Sequence, residues 1–482
     1  MSYLGHIVLN SRVTYGKNKK NVTYYAFKHH CIKTQDSTKI IPYKKDSKED
    51  QTNVYVLASI NENQSHTNYI IMTIQTIIGK VGTPQAEALY LQYKHNLRTI
   101  KKKQSVPPKN YFEQIITEET ARRKKKEHDV YTIDPEGSSD HDDALSIGID
   151  EENTTTTIGI HIADVSFLVS PDSELDKYAK QSLTSIYSNY LQSNNMLPSY
   201  ICNDLMSLKE NKPRLCVSIY YQYNKENKLI NTTIARETLV VTKNCTYENV
   251  RKHLSKLQWN ILTQLSNSND THKIVEYWMI KTNVLIAKKS KNNGILRVQE
   301  EPSITEFSEA LSETVDIEFY KKMCSNKASY IIANKDTPTH HHSLQEDYYT
   351  HFTSPLRRYA DIIAHRQLFS KNYEVSEDIL NEINDINKRC IRLKSDEHKL
   401  QLIYDLEEQW KSDEPLLERA GTIMVIEEAY IYIHVKIKQK DYLLRVKNNK
   451  KVKKFQKIIV EIVPDINASI FSKKLKIKLI NT

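Results

Sequence analysis

No stretch of about 18 apolar residues occurs in this chain of 482 residues, so a membrane-spanning helix is not expected. The opening residues, "MSYLGHIVLN", lack a basic region followed by an apolar run, so no secretory leader is expected either. Cysteine is scarce. Cys31, Cys202, Cys216, Cys245, Cys324 and Cys390 are scattered, with no C-x-x-C pair. That argues against a disulfide framework and a structural zinc site, and fits a cytoplasmic or otherwise intracellular, reducing compartment. Only 9 glycines stand against 30 tyrosines, a bias that an AT-rich gene would produce. Acidic charge is sparse at one end. From Gly421 to Thr482 there are 14 Lys/Arg and 5 Asp/Glu, a difference of +9 out of a formal +10 for the chain. Such a tail suits a polyanion, with nucleic acid the first candidate, or forms a lysine-rich solvated face.

What is present is ordinary for folded protein: 39% hydrophobic and 27% charged residues. The length suggests roughly two to four domains. "NVTYYAF", "NVYVLASI" and "NYIIMTIQTIIG" read as strands of a small barrel. A helix follows from Pro84, completing a first unit over 1–100. Two basic segments make 101–128 a linker. In "DALSIGID" and "TTIGIHIADVS", isoleucine and leucine alternate, so a hairpin is expected there. "EYWMIKTNVLIAKKS" and "SEDILNEINDINKRCIRL" read as helices. The alternation in "YIYIHVKIK" predicts a second small barrel over 413–482. The fold class is therefore α+β, with a mixed α/β domain over 129–412 between two small OB-type β-barrels.

Two segments carry chemistry. "TIDPEGSSDHDDALSI" crowds Asp134, Asp140, Asp142 and Asp143 into a loop that enters a strand. Like charges this close raise one another's pKa unless a cation offsets them. The loop is either a solvated acidic turn or a cage for hard cations such as Mg²⁺. An EF-hand does not fit, because the glycine precedes the cluster and no glutamate follows at the required spacing. In "YYTHFTSPLRRYADIIAHRQL", Thr353 or Ser354 reads as an N-cap with Pro355 in the first turn. Arg357, Asp361 and His365 then share a helical face. A helix start bearing Arg357 and Arg358 suits a phosphate, or an Arg–Asp pair on a surface helix. The run His340 to His342 is expected in a solvated loop.

"TIDPEGSSDHDDALSI", "HIADVS", "MLP" with "SLKENKPRLCVSI", and "HFTSPLRRYADIIAHRQL" occur in that order. Together they closely resemble the catalytic domain shared by ribonuclease II, ribonuclease R and the exosome's catalytic subunit, the RNB family. The resemblance runs from about Glu118 to Trp410. It implies Mg²⁺, or Mn²⁺ in its place, on Asp134, Asp140, Asp142 and Asp143. It implies that Arg357 stands beside the scissile phosphate, with Arg358 its neighbour and Thr353 and Ser354 on the substrate side. A base-stacking tyrosine matches Tyr187, with Tyr190 the alternative, and a substrate glutamate matches Glu276. Tyr277 and Gln299 depart from the family pattern, which has an acidic residue and a histidine there. The flanks are similar to a cold-shock-type barrel with its helix and to a short, divergent terminal RNA-binding barrel.

The implied activity is 3′→5′ exoribonuclease action on single-stranded RNA, giving nucleoside 5′-monophosphates by in-line attack of water. Single-stranded RNA is the expected partner, without a membrane. The expected state is a monomer, open to an accessory complex. The rivals are a catalytically inactive RNA-binding or scaffolding relative and a DNA-directed nuclease.

Overall fold

The computed structural model describes residues 2–30, 38–47, 49–66, 69–98, 106–125, 129–150, 152, 154–290, 293–302, 317–334, 337–370, 372–411, 417–448 and 452–480. Cys31 and parts of both basic segments lie outside the described residues.

The first five strands are β1 (Ser2–Ile7), β2 (Tyr24–His29), β3 (Lys39–Pro42), β4 (Val54–His66) and β5 (Tyr69–Lys80). They close into a barrel in the order β1-β2-β3-β5-β4. Its inside is filled by Ile7, Phe27, Ile41, Val54, Val56 and Met72, the apolar members of alternating strands. Helix α1 (Pro84–Lys94) follows, with proline in its first turn. The segment expected as a linker contains α2 (Lys109–Arg122), which buries Phe112 and Ile116. The flanking basic residues obscured that helix, whose apolar face is short: Phe112 and Ile116, with Ile115 partly buried beside them.

The central sheet comprises β6 (Val130–Asp134), β7 (Asp143–Asp150), β8 (Thr155–Ala163), β9 (Pro213–Tyr223), β10 (Leu229–Val240) and β11 (Lys243–Thr246). Its order is β10-β9-β8-β7-β6-β11. β7 and β8 form the expected antiparallel hairpin, Asp143 opposite Ile162 and Asp150 opposite Thr155. β11 joins β6 in parallel. Short helices α3 (Val165–Leu168) and α4 (Glu174–Lys180) follow β8, and α5 (Lys256–Ser266) and α6 (Thr271–Lys289) follow β11. The chain continues through β12 (Ile295–Val298), α7 (Ile317–Cys324), β13 (Ser329–Ile332), α8 (Tyr359–Phe369) and α9 (Glu377–Lys411). The last unit is a five-stranded sheet of β14 (Leu417–Ile426), β15 (Tyr430–Ile437), β16 (Lys440–Lys447), β17 (Lys457–Pro464) and β18 (Leu475–Ile480). Its order is β16-β15-β14-β17-β18, and β16 comes back near β18, so the sheet curls.

Helix α9, about 52 Å long at 1.5 Å per residue, ties the units together. Leu393, Leu400 and Ile403 enter the central core, whereas Leu402 and Leu406 enter the core of the terminal sheet. Asp396 binds Lys94 at 2.7 Å and His95 at 2.9 Å, fixing α1 to the same helix. A buried ion pair also joins the two ends of the chain. Lys474 Nζ meets Glu87 Oε1 at 3.0 Å, both side chains 0% exposed, and Glu87 also accepts from the Gly82 amide at 2.8 Å. Burial holds Glu87 above the usual carboxylate range and Lys474 below the usual ammonium range, each against the pull of its partner.

Removing one partner of such a pair strands the other charge. Lys474→Met should therefore destabilise the fold by roughly 3–5 kcal/mol, and Glu87→Gln in the same chain should recover much of that loss. Denaturant unfolding of the single and double variants checks this.

A second expectation concerns pH. Burial pushes His6 down to about 3 and His30 down to about 4, and the two rings are hydrogen-bonded at 2.7 Å. Both are neutral when folded and protonate near 6.5 when unfolded. Their contribution is complete above pH 6.5 and is lost as pH falls toward their folded values. Between pH 7 and pH 5 the loss is about 2 kcal/mol per histidine. Unfolding midpoints across that range measure it.

Candidate active site

The acidic loop joins the end of β6 to the start of β7, so Asp134 and Asp143 are anchored in the sheet and Asp140 and Asp142 hang between them. Gly137 takes φ +82°, a conformation open to glycine at no steric cost, and lets the Ser138 amide reach the Pro135 carbonyl at 3.2 Å. The "SLKENKPRL" motif clamps this loop from below. Ser207 Oγ accepts from the His141 amide at 3.0 Å and donates to the Ser139 carbonyl at 2.9 Å. The Leu208 amide donates to the His141 carbonyl at 3.0 Å. Arg214 Nε in turn donates to the Ser207 carbonyl at 2.8 Å.

The second segment arrives opposite. Asp142, 3% exposed, accepts from the Leu356 amide at 2.7 Å and from Arg357 Nε at 3.2 Å. Arg357 also donates to Ser354 Oγ at 3.1 Å, and its side chain stays 46% exposed. The helix begins later than the sequence predicts. Its N-cap is Arg358, not Thr353 or Ser354, and α8 starts at Tyr359. The Ser185 amide binds the Arg357 carbonyl at 2.9 Å and the Tyr359 amide binds the Leu183 carbonyl at 2.9 Å. This strand-like pairing holds Arg358 extended, with Arg357 in the turn before it, so Arg357 lies outside the helix rather than on its face. Asp361, fully buried, takes both Arg358 Nε and Nη2 at 2.8 Å and the Ser354 amide at 2.8 Å.

A cleft of about 1210 Å³ opens between these segments, lined by Asp134, Asp140, Asp142, Asp143, Tyr187, Glu276, Thr353, Ser354, Arg357 and Arg358. Every residue singled out from the sequence as a site residue thus lines one space. Tyr187 is 45% exposed and donates to Asp140. Tyr190 instead packs against α9, donating to Gln401 Oε1 at 2.6 Å beside Tyr404. Asp164 is outside the cleft, buried between Arg123 at 2.8 Å and Arg236 at 3.0 Å. His341 is buried rather than solvated, and burial pushes it down to about 4.

Sequence reasoning missed several lining groups. Tyr247 and His272 stack at 3.8 Å with 14° between their rings. Their separation in the chain gave no pattern to read. His141 holds Asp134 Oδ2 at 2.7 Å. It does not itself line the cleft but holds a residue that does, and its place within the acidic motif is the signal that could have found it.

The electrostatics are those of crowded, dry carboxylates. Burial drives Asp142 well above the usual range, with Asp143 and Asp140 adding to the shift and Arg357 and the Leu356 amide opposing it. Burial, then the charge of Asp134, also raises Asp143, against Arg357, Arg358 and His141. Among the described residues, no group of three His, Cys, Asp or Glu side chains stands ready-made to grip an ion. Three of the four carboxylates have side-chain partners: Asp134 has His141, Asp140 has Tyr187 and Asp142 has Arg357. The donor set nonetheless fits a hard divalent cation: oxygen ligands only, with negative charge that one arginine leaves largely uncompensated.

Among the described residues no helix is long and apolar enough to cross a membrane. The RNB domain family matches residues 122–263 and 259–371, together just over half of the chain. Ribonuclease R of Chlamydia pneumoniae is 28% identical over 376 residues, 61% of this chain and 54% of that protein. The chain spans about half the length of the curated relatives it matches. Mycoplasma genitalium RNase R, solved with ribose-methylated single-stranded RNA, has the same fold with a TM-score of 0.73 at 18% identity, covering 100% of this chain and 90% of that one. Yeast Ssd1, a pseudonuclease, aligns with a TM-score of 0.66 at 17% identity over 93% of this chain and 65% of its own. With the acidic loop, its serine–arginine clamp and the Arg357 turn all inside the matched span, the chain belongs to the RNB family.

Proposed function

We propose that this chain is a 3′→5′ exoribonuclease that hydrolyses single-stranded RNA to nucleoside 5′-monophosphates. The observation that carries the reading is the meeting of Asp134, Asp140, Asp142 and Asp143 with Arg357 in one cleft. The four aspartates would hold one or two Mg²⁺ or Mn²⁺ ions. Such ions, when bound, lower the pKa of water and offset charge on the leaving oxygen of a phosphodiester. The chain's own residues do the rest. Arg357, half exposed and steered by Asp142 and Ser354, would stabilise charge on the phosphoryl oxygens. Arg358 donates twice to Asp361, so its role is to brace the turn that presents Arg357. Tyr187 offers an exposed ring at the edge of the acidic loop, and stacking on an aromatic is tolerant of sequence. Glu276, on α6, is an acceptor for a ribose hydroxyl, by which RNA is told from DNA.

A catalytically inactive RNA-binding relative is the second reading, favoured by the partners that Asp134, Asp140 and Asp142 already have and by the fold shared with a pseudonuclease. Degradation of matched 5′-labelled RNA and DNA strands in Mg²⁺ and in EDTA separates the readings. Metal-dependent shortening of RNA with release of 5′-monophosphates supports the enzyme. Intact RNA under all conditions supports the binding protein.

Asp142→Asn and Asp143→Asn should each lower hydrolysis by more than about 100-fold, since loss of a group that merely orients a metal ligand costs about 10–100-fold. RNA binding should stay level or strengthen, because a negative charge near phosphates is removed. Hydrolysis and equilibrium RNA binding are measured on the same preparations, with circular dichroism for folding. Undiminished hydrolysis by both folded variants would refute the metal assignment.

Tyr187→Ala should weaken the grip on short RNA by ~1–3 kcal/mol and shift the length at which digestion stops, with less effect on long RNA. Tyr190→Ala should leave that length unchanged. Product lengths resolved on a sequencing gel decide between the two rings.

A further inference from the structure

Asp140 is the member of the aspartate quartet that neither the sheet nor the arginine turn holds. Asp134 closes β6 and Asp143 opens β7. Asp142 is tied to the Leu356 amide and to Arg357. Asp140 lies in the loop between, where Ser207 clamps the backbone on either side of it, at the Ser139 carbonyl and the His141 amide, but not its side chain. Among the described residues, the donor to its carboxylate is the Tyr187 hydroxyl, on Oδ2. The four residues that lead into Tyr187 are themselves pinned. The Leu183 carbonyl accepts from the Tyr359 amide at 2.9 Å, and the Ser185 amide donates to the Arg357 carbonyl at 2.9 Å. Thr184 Oγ1 donates to the same carbonyl at 3.0 Å. Ile186 exchanges both backbone bonds with Asn194 at 2.9 Å. The Tyr187 hydroxyl is therefore carried to the acidic loop by a fixed segment, while its ring lines the cleft and stays 45% exposed.

We propose that the Tyr187 hydroxyl positions Asp140 as a ligand for a divalent cation, so that one side chain acts on the metal through its oxygen and on the RNA through its ring. This rests on the reading of the four aspartates as a metal cage. A phenol at neutral pH donates and an ionised carboxylate only accepts. The bond takes one side of Asp140 and leaves the lone pairs of Oδ1 for a cation. Hydrogen bonds to a ligating carboxylate fix its orientation, and losing such a partner costs about 10–100-fold in metal affinity. Tyr187 is thus a positioning residue for the cation: it touches Asp140, not the ion. The segment from Leu183 to Tyr187 then places both kinds of charge in the cleft, Arg357 through the pairing of its carbonyl and Asp140 through the phenol.

Titration of the full chain with Mn²⁺ alone, followed by the paramagnetic signal of the free ion, tests this without RNA or turnover. Tyr187→Phe keeps the ring and removes the hydroxyl, and should weaken Mn²⁺ binding by about 10–100-fold. Its affinity for a short single-stranded RNA in EDTA should match that of the wild-type chain, whereas Tyr187→Ala should lose affinity for both. Adding Tyr187→Phe to Asp140→Ala should weaken Mn²⁺ binding no further than Asp140→Ala alone, because the hydroxyl acts through that carboxylate. Circular dichroism checks the fold of each variant. A folded Tyr187→Phe chain that binds Mn²⁺ as tightly as the wild type, or more tightly, overturns the inference, and so does a double variant in which the two losses add. If Asp142→Asn loses Mn²⁺ and Tyr187→Phe does not, the role of the hydroxyl falls alone. If the wild-type chain takes up no Mn²⁺, or Asp142→Asn takes up as much, the metal cage and the proposed function fall with it.

Discussion

A carboxylate cannot be both dry and charged without a partner, and this constraint governs the centre of the molecule. Asp142 is buried beside two other aspartates, and among the described residues the cation paired with it is Arg357. The contact bridges 215 positions of sequence. It fixes the acidic loop against the 353–358 turn, and the main-chain amide of Leu356 completes the carboxylate's partners. One guanidinium leaves the summed charge of the four aspartates uncompensated. The floor of the cleft is therefore acidic, while Arg357 keeps part of its surface exposed.

Around that contact the structure is a series of clamps. Ser207 and Arg214 hold the acidic loop from β9's side. Asp361 holds the arginine turn through Arg358 and the Ser354 amide. The strand-like pairing at Leu183, Ser185 and Arg357 keeps the turn from winding into helix. At longer range, α9 enters two hydrophobic cores, and the Glu87–Lys474 pair closes the first barrel's helix onto the terminal sheet. The first barrel's helix and the terminal sheet are thereby held at fixed positions on α9 and on each other.

The same architecture occurs in an RNase R solved with RNA and in a pseudonuclease. Fold alone therefore does not decide activity. Function is argued from the side chains of the site. In this chain the aspartate quartet and Arg357 are all present and line one space.

Much of this was legible in one dimension. Strand alternation fixed the β7–β8 hairpin, because a period of two leaves one face apolar whatever surrounds it. The acidic loop was legible because its four carboxylates lie within ten positions, and local crowding of charge is a property of sequence. Tertiary structure decided the rest. The start of α8 moved to Tyr359 because a distant segment pairs with Arg357 and Arg358. Tyr187 was separated from Tyr190 only by what each ring meets, Asp140 in one case and Gln401 in the other. α2 declared itself by packing, not by pattern. Tyr247 and His272 became neighbours because the first turn of α6 lies beside the residue that follows β11, a contact between segments that no local spacing encodes. Local order follows from the character of adjacent residues, but which groups share a cleft depends on contacts across the chain, and these form only when the cores are buried.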